Sequence, residues 1–361
     1  MNVNLQAICE KLEVNPVFQM SLNSKELFHS NVLAWFCKTF PKEAQEVFGQ
    51  WVPSSTSTRH QILREKNNLD LLIEIPNLAP IVIENKVFAA PDDEQLNAYS
   101  EKAVVRNLKD PCLILLSLGK PNWDDNIFVS PTGKTWKYLS YQDLSNALRD
   151  AIKSIPGFEG DLLQHYVEVV DLLQEILDNV SGIDPEEQVF LSASTRSLLE
   201  QVRMADAFDK LRARQLVVTL RQSWKSSTHA NRTKFEMAFT NGEPLIEGNV
   251  MNKNGDRLGW QYQAGDWRLA VWCAKHQGDS EDLRKKRENH VAKEYADWFD
   301  FEPVSALIQP ESKISKKESS GGFLGFNPEF VYRKRKLKGL TLADLEKISN
   351  HYLARAIALA R

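Results

Sequence analysis

The chain of 361 residues is 42% hydrophobic and 26% charged with a net charge of −3, an ordinary globular composition long enough for two domains. No run approaches the roughly 18 apolar residues of a membrane span, and Met1 to Gln19 lacks a basic stretch followed by an apolar core, so a cytoplasmic protein without membrane contact is expected. Cys9, Cys37, Cys112 and Cys273 show no C-x-x-C spacing and the seven histidines fall in no metal pattern, which argues against a zinc site or a disulfide framework.

Taken in chain order, a helix is expected from Ser24 to Phe40 and a strand from Gln61 to Lys66. Residues 69–75 and 80–88 are Ile/Leu/Val-rich runs of strand length, separated by the turn residues Pro76-Asn77-Leu78-Ala79-Pro80, and read as an antiparallel hairpin. A helix from Asp92 to Val105 and a strand from Cys112 to Leu118 follow. Further on come helices at 161–178 and 185–226, then strands over 233–275 with turn signals at Asn241-Gly242, Asn254-Gly255 and Ala264-Gly265-Asp266. Helices at 280–299 and 341–360 would cover that small antiparallel sheet. The polar, Gly/Ser-rich stretch from Lys313 to Gly325 between them reads as a loop or hinge.

The hairpin carries the chemistry. A turn centred on Asn77 pairs residues whose numbers sum to 154, so Asp70 faces Glu84 and Leu72 faces Val82, about 4.5–5.5 Å apart. Alternation puts Val82, Glu84, Lys86 and Phe88 on one face and Ile81, Ile83, Asn85 and Val87 on the other. Two carboxylates so placed repel unless something positive lies between them, and such oxygen ligands suit Mg²⁺ or Mn²⁺. A neighbouring Lys can orient a water or take its proton. On spacing alone, an exposed ion pair explains these residues equally well.

The order α-β-β-β-α-β, with Asp70 and Glu84-x-Lys86 on its second and third strands, resembles the PD-(D/E)XK nuclease superfamily over the first half of the chain. Ser24-Lys25-Glu26-Leu27-Phe28-His29-Ser30-Asn31 resembles the first-helix signature of a bacterial branch, and Gln95-Leu96-Asn97-Ala98-Tyr99 resembles the Gln-x-x-x-Tyr helix of RecB-like and exonuclease-like branches. No Pro precedes Asp70, a departure that many members share. The resemblance implies an α/β, restriction-endonuclease-like mixed-sheet core at 1–180, flanked by helices and followed by an α+β region at 181–361 that serves substrate binding, dimerisation or sensing.

The resemblance further implies that Asp70, Glu84, Lys86, Gln95 and Tyr99 are catalytic. Glu26, Asp70, Glu84 and the Asn85 carbonyl would be metal ligands, and Mg²⁺, with Mn²⁺ as a substitute, the cofactor. The expected activity is phosphodiester hydrolysis of nucleic acid, DNA ahead of RNA, in a possible homodimer, with a role in bacterial defence against phage or in DNA processing. The alternative is a non-catalytic nucleic-acid-binding or interaction protein that retains the fold. Blander readings stand beside two of these roles: Glu26 as a helix-dipole charge and Tyr99 as core with a wet hydroxyl. His29, on the same helical face as Glu26, could reach phosphate, although a lone His is more often a satisfied structural residue, and Glu65 could be an outer neighbour of the site.

Charge is uneven along the chain. Residues 1–180 hold 16 Lys and Arg against 24 Asp and Glu, and the remainder 29 against 24. The basic clusters Arg284–Arg287, Lys313–Lys317 and Arg333–Lys336 with Lys338 could contact a phosphate backbone, although charge runs are usually solvated surface. Trp260, Trp267 and Trp272 could stack on bases but fit a core cluster better. Gly133-Lys134-Thr135 is no phosphate loop, because Phe128 stands where its first Gly belongs, and Asp124-Asp125 reads as a turn.

Overall fold

The computed structural model describes residues 3–359 other than 23, 25, 66–68, 89–92, 122, 182–183, 226, 228, 241, 309–313, 319–321 and 327. The expected element ends at Lys66 and Asp92, together with Lys25, Asn67, Asn68, Asn241, Lys313 and the Ser319–Gly321 stretch, lie outside these residues, as do the side chains of Lys316 and Lys317. The chain folds as two compact units, Met1–Ser181 with Ala193–Leu211, and Gly182–Ser192 with Arg212–Arg361.

The first unit opens with helices α1 (Val3–Val14), α2 (Pro16–Ser21), α3 (Glu26–Thr39) and α4 (Pro41–Phe48). Asn15 caps α2 by accepting from the Val17 and Phe18 amides, with Pro16 at the first helical position, where its missing N–H costs nothing. Then come β1 (Gln61–Arg64), β2 (Leu71–Glu74), β3 (Ile81–Lys86), α5 (Asp93–Glu101), α6 (Ala103–Arg106) and β4 (Cys112–Ser117). The expected single helix over 92–105 is thus two pieces. Strands β5 (Ile127–Val129) and β6 (Thr135–Ser140) and helices α7 (Tyr141–Ile152), α8 (Phe158–Val180) and α9 (Ala193–Gln201) follow, and α10 (Ala205–Trp224) contributes its first turns.

These strands form one mixed sheet in the order β1-β2-β3-β4-β6-β5. The β2–β3 register is Leu71↔Ile83, Leu72↔Val82 and Ile73↔Ile81, every pair summing to the value set by a turn at Asn77, which adopts φ 66°. Parallel pairing of β3 with β4 and of β4 with β6 buries both strand faces, and β4 (CLILLS) accordingly reads as an unbroken apolar run. The Pro131–Gly133 segment turns β5 into β6, with Gly133 at φ 77°. Residues 124–126 make a short 3₁₀ turn, as the sequence suggests.

Phe88 departs from expectation. The strand ends at Lys86, so alternation lapses and Phe88 packs edge-on to His29, 6.1 Å between ring centroids. It does not share the Glu84 and Lys86 face.

In the second unit, β7 (Thr233–Thr240), β8 (Glu243–Met251), β9 (Arg257–Gln263), β10 (Asp266–Trp272), β11 (Ile314–Glu318), β12 (Leu324–Phe326) and β13 (Phe330–Leu337) form an antiparallel sheet ordered β11-β13-β10-β9-β8-β7, with β12 also on β13. Helices α11 (Glu281–Glu294), α12 (Glu302–Leu307) and α13 (Leu342–Leu359) complete the unit. The stretch expected as a hinge therefore supplies β11 and β12, because the long β13 offers both its partners. Trp260 and Trp267 are fully buried and stacked at 4.9 Å, so they build core and do not present a stacking platform. A Cβ at Gly248 would lie 2.9 Å from the Trp260 ring. Gly248→Ala is therefore expected to lower the thermal midpoint by several degrees, about 1–3 kcal/mol of overpacking, as differential scanning fluorimetry would show.

In the clusters at 284–287 and 333–336, most of the basic side chains have partners among the described residues. On α11, Lys285 pairs with Glu281, Lys286 with Asp282 and Arg284 with Glu288, each across one helical turn. Arg287 is buried and donates to the His276 and Gly278 carbonyls. On β13, Lys334 and Lys336 both pair with Asp266, while Arg335 donates to the Phe301 carbonyl. No helix among the described residues is long and apolar enough to cross a membrane.

Candidate active site

The site forms where the β2–β3 hairpin meets α3 and α5. Asp70 lies one residue before β2, and its Oδ2 accepts from the Asn85 main-chain N–H at 2.8 Å. That bond locks the carboxylate onto the end of β3. Glu84, two residues before Lys86 on the same strand face, is only 1% exposed, and its Oε1 lies 2.8 Å from Lys86 Nζ. Its Oε2 has no donor among the described residues.

The electrostatics follow from this crowding. Burial, with the adjacent Asp70 charge, pushes the Glu84 carboxyl up to about 7 despite the pull of Lys86. Burial acts on Lys86 in the opposite sense, but the attraction of Glu84, Glu26 and Asp70 outweighs it and holds the ammonium above its ordinary value. Lys86 is therefore protonated at neutral pH. It can orient and stabilise, whereas taking a proton from water would first require it to lose its own.

Asn85 points the other way and anchors the strand. Its Nδ2 donates to the Glu26 carbonyl at 3.1 Å and to Ser30 Oγ at 2.9 Å, and its Oδ1 accepts from the Tyr141 hydroxyl at 2.5 Å. Glu26, the first residue of α3, accepts from the Phe88 amide through Oε1 at 3.2 Å. The helix is thereby fixed against the end of β3, close enough for the Glu26 charge to act on Lys86. His29 on the same helix is fully buried, 3.2 Å from the Tyr166 hydroxyl, and burial lowers its pKa to about 3. It is a neutral packing residue, out of reach of solvent, and Glu65 is exposed beyond β1.

Helix α5 covers the face that carries Glu84. Gln95 Nε2 donates to the Tyr99 hydroxyl at 2.6 Å, so the two residues act as one unit across a helical turn. The Tyr99 ring packs with Leu72, Val82 and Leu96, and burial and the Glu84 charge raise its pKa. One cation here escapes the sequence reading. Lys102 follows α5 and sets Nζ 3.8 Å from the Tyr99 ring centroid, within electrostatic reach of Glu84 and Asp70, while burial keeps its pKa below the usual lysine value. Its only sequence signal is a position three residues after Tyr99, one turn along the same face.

Asp70 and the donor-free oxygen of Glu84 are the oxygen donors that a hard divalent cation takes. Among the described residues no group of three or more His, Cys, Asp or Glu side chains is placed to hold a metal. An ion here would rest on two carboxylates and fill its shell with water, main-chain oxygen or substrate, a habit of Mg²⁺.

Neither the curated proteins nor the solved structures gave a match. Residues 15–168, which include α3, the hairpin and α5, match a family model of the PD-(D/E)XK nuclease superfamily.

Proposed function

We propose that the first unit hydrolyses phosphodiester bonds of nucleic acid, with Mg²⁺ or Mn²⁺ held by Asp70, Glu84 and the Asn85 main-chain carbonyl, and with Glu26 contributing directly or through water. The observation that carries this reading is Glu84: a buried carboxylate beside a second carboxylate, one oxygen without a donor among the described residues and the other against a charged lysine. No structural economy explains that arrangement, because burying like charges together is costly. A divalent ion bound there would lower the pKa of a water and neutralise charge developing on the phosphate.

The protein's own groups supply the rest. Lys86, kept charged, donates to the attacking water or to a phosphate oxygen and holds it in line with the scissile bond. Water oxygen bonds to phosphorus, its proton passes to solvent, and the ester oxygen departs and is protonated. Gln95 orients the Tyr99 hydroxyl toward the phosphate, and Lys102 adds a second positive charge beside it. DNA is placed ahead of RNA on the resemblance of the Gln95/Tyr99 motif to RecB-like and exonuclease-like branches.

Incubation with Mg²⁺ or Mn²⁺ and linear, circular, single-stranded and RNA substrates tests the reading: cleavage of at least one, stopped by a chelator, is expected, and inertness toward all of them would refute it. Lys102→Ala is expected to weaken substrate binding severalfold and to reduce the slope of log affinity against log salt by about 1, with a smaller effect on kcat. An unchanged salt slope would remove Lys102 from the phosphate path.

A further inference from the structure

A cavity of about 280 Å³ opens at the β1–β2 edge of the first unit, on the sheet face that carries Asp70 and beside the apolar cluster that packs Tyr99. Leu63, Leu69 and Leu72 line it together with Arg59, Gln61 and Glu74. Leu69 is the immediate neighbour of Asp70. Glu74 stands four residues further along the same strand direction, about 13 Å at the usual rise per residue. The register pairs Gln61 with Glu74 and Leu63 with Leu72, so the cavity is a built slot with an apolar wall and a polar end.

The polar end is unusual. Glu74 is only 6% exposed, and its ion-pair partner is Arg59, 3.0 Å away through Nε but with a side chain 62% exposed. Arg59 Nη2 in turn donates to Gln61 Oε1 at 2.5 Å. A pair with so exposed an arginine contributes little stability, which leaves the burial of the carboxylate without a structural return. An apolar slot with a carboxylate acceptor at its end and an exposed cation at its rim matches a flat ring that carries amino donors on its edge and a phosphate beside it.

We propose that this slot binds an unpaired nucleobase of the substrate, one with an exocyclic amine facing Glu74, while Arg59 swings onto the adjoining phosphate. The proposal rests on the nuclease reading above and narrows it. A base reaches such a slot only when unstacked, so the preferred substrate is single-stranded or frayed near the cleaved bond. Carboxylate acceptance selects cytosine, adenine or the amino edge of guanine over thymine or uracil, which carry no exocyclic amine.

The test uses the full chain with Asp70→Asn to prevent cleavage, titrated by fluorescence anisotropy with short single-stranded DNA and RNA in two sets, cytosine-containing and thymine- or uracil-only. Cytosine-containing strands are expected to bind about tenfold tighter, and adding Glu74→Leu should abolish that preference. Arg59→Ala, at an exposed position where folding is not at stake, should weaken all strands and reduce the salt slope by about 1. Equal affinity for the two sets, or a preference that survives Glu74→Leu in a protein whose circular dichroism shows it folded, would overturn the slot while sparing the nuclease reading. Should Glu74→Leu fail to fold, an Arg59→Ala protein with unaltered affinity and salt slope overturns it instead. Binding of no strand at any salt concentration would overturn the slot, and cleavage of double-stranded substrate by the wild type would show the nuclease reading to stand without it.

Discussion

Lys86→Ala is expected to lower single-turnover cleavage about 10²–10³-fold, the loss typical of removing one donor aimed at developing charge, with little change in the folded structure. Lys86 stands 2.8 Å from Glu84 and is held charged by three carboxylates, so a water bound between Asp70 and Glu84 would lie beside its ammonium. Its removal leaves Glu84 buried without its ion-pair partner. That carboxyl then takes a proton and does not unfold the strand, and the rate loss should be partly recovered at higher pH. A rate like that of the wild type at neutral pH would remove Lys86 from the chemistry.

Glu84→Gln should abolish cleavage and yet stabilise the protein. The folded carboxyl titrates at about 7 against an ordinary 4.5, so between these values the folded state binds a proton that the unfolded state has lost. Stability therefore falls as pH rises through that window, and above about 7 the full penalty applies, on the order of 3 kcal/mol. Glutamine carries no such penalty. In the presence of a chelator the variant should melt roughly 5–10 °C above the wild type at pH 8 and close to it near pH 4. Added Mg²⁺ or Mn²⁺ should raise the wild-type midpoint at pH 8 and leave the variant unmoved. Parallel melting curves at both pH values would show that Glu84 is not the strained group of the site.

The hairpin was legible because its signals agree. Apolar runs of strand length flank a turn, and the register at Leu72↔Val82 follows from Asn77 alone. The α5 face was legible for the same reason, since a spacing of four brings Gln95 onto Tyr99. What could not be read was tertiary. Nothing local announces that Asn85 spends its side chain on Glu26, Ser30 and Tyr141, or that Lys102 lies over Tyr99. Phe88 was misplaced because alternation holds only while the strand continues.

In the second unit, charge counted along the chain differs from charge in the fold. A run such as Arg284–Arg287 looks like a basic patch when counted along the chain, but acids one turn away neutralise three of its charges and burial takes the fourth. Residues 193–211 belong to the first unit, so a truncation meant to isolate it has to retain them.

The central claim is that Asp70 and Glu84 direct hydrolysis of a nucleic-acid backbone. Wild-type protein and Asp70→Asn, incubated side by side with end-labelled single-stranded and double-stranded DNA and RNA in Mn²⁺ and resolved on a denaturing gel, test it most directly. Shortened products from the wild type alone, absent when a chelator is added, are the predicted result; equal products from both proteins, or none from either, would contradict it.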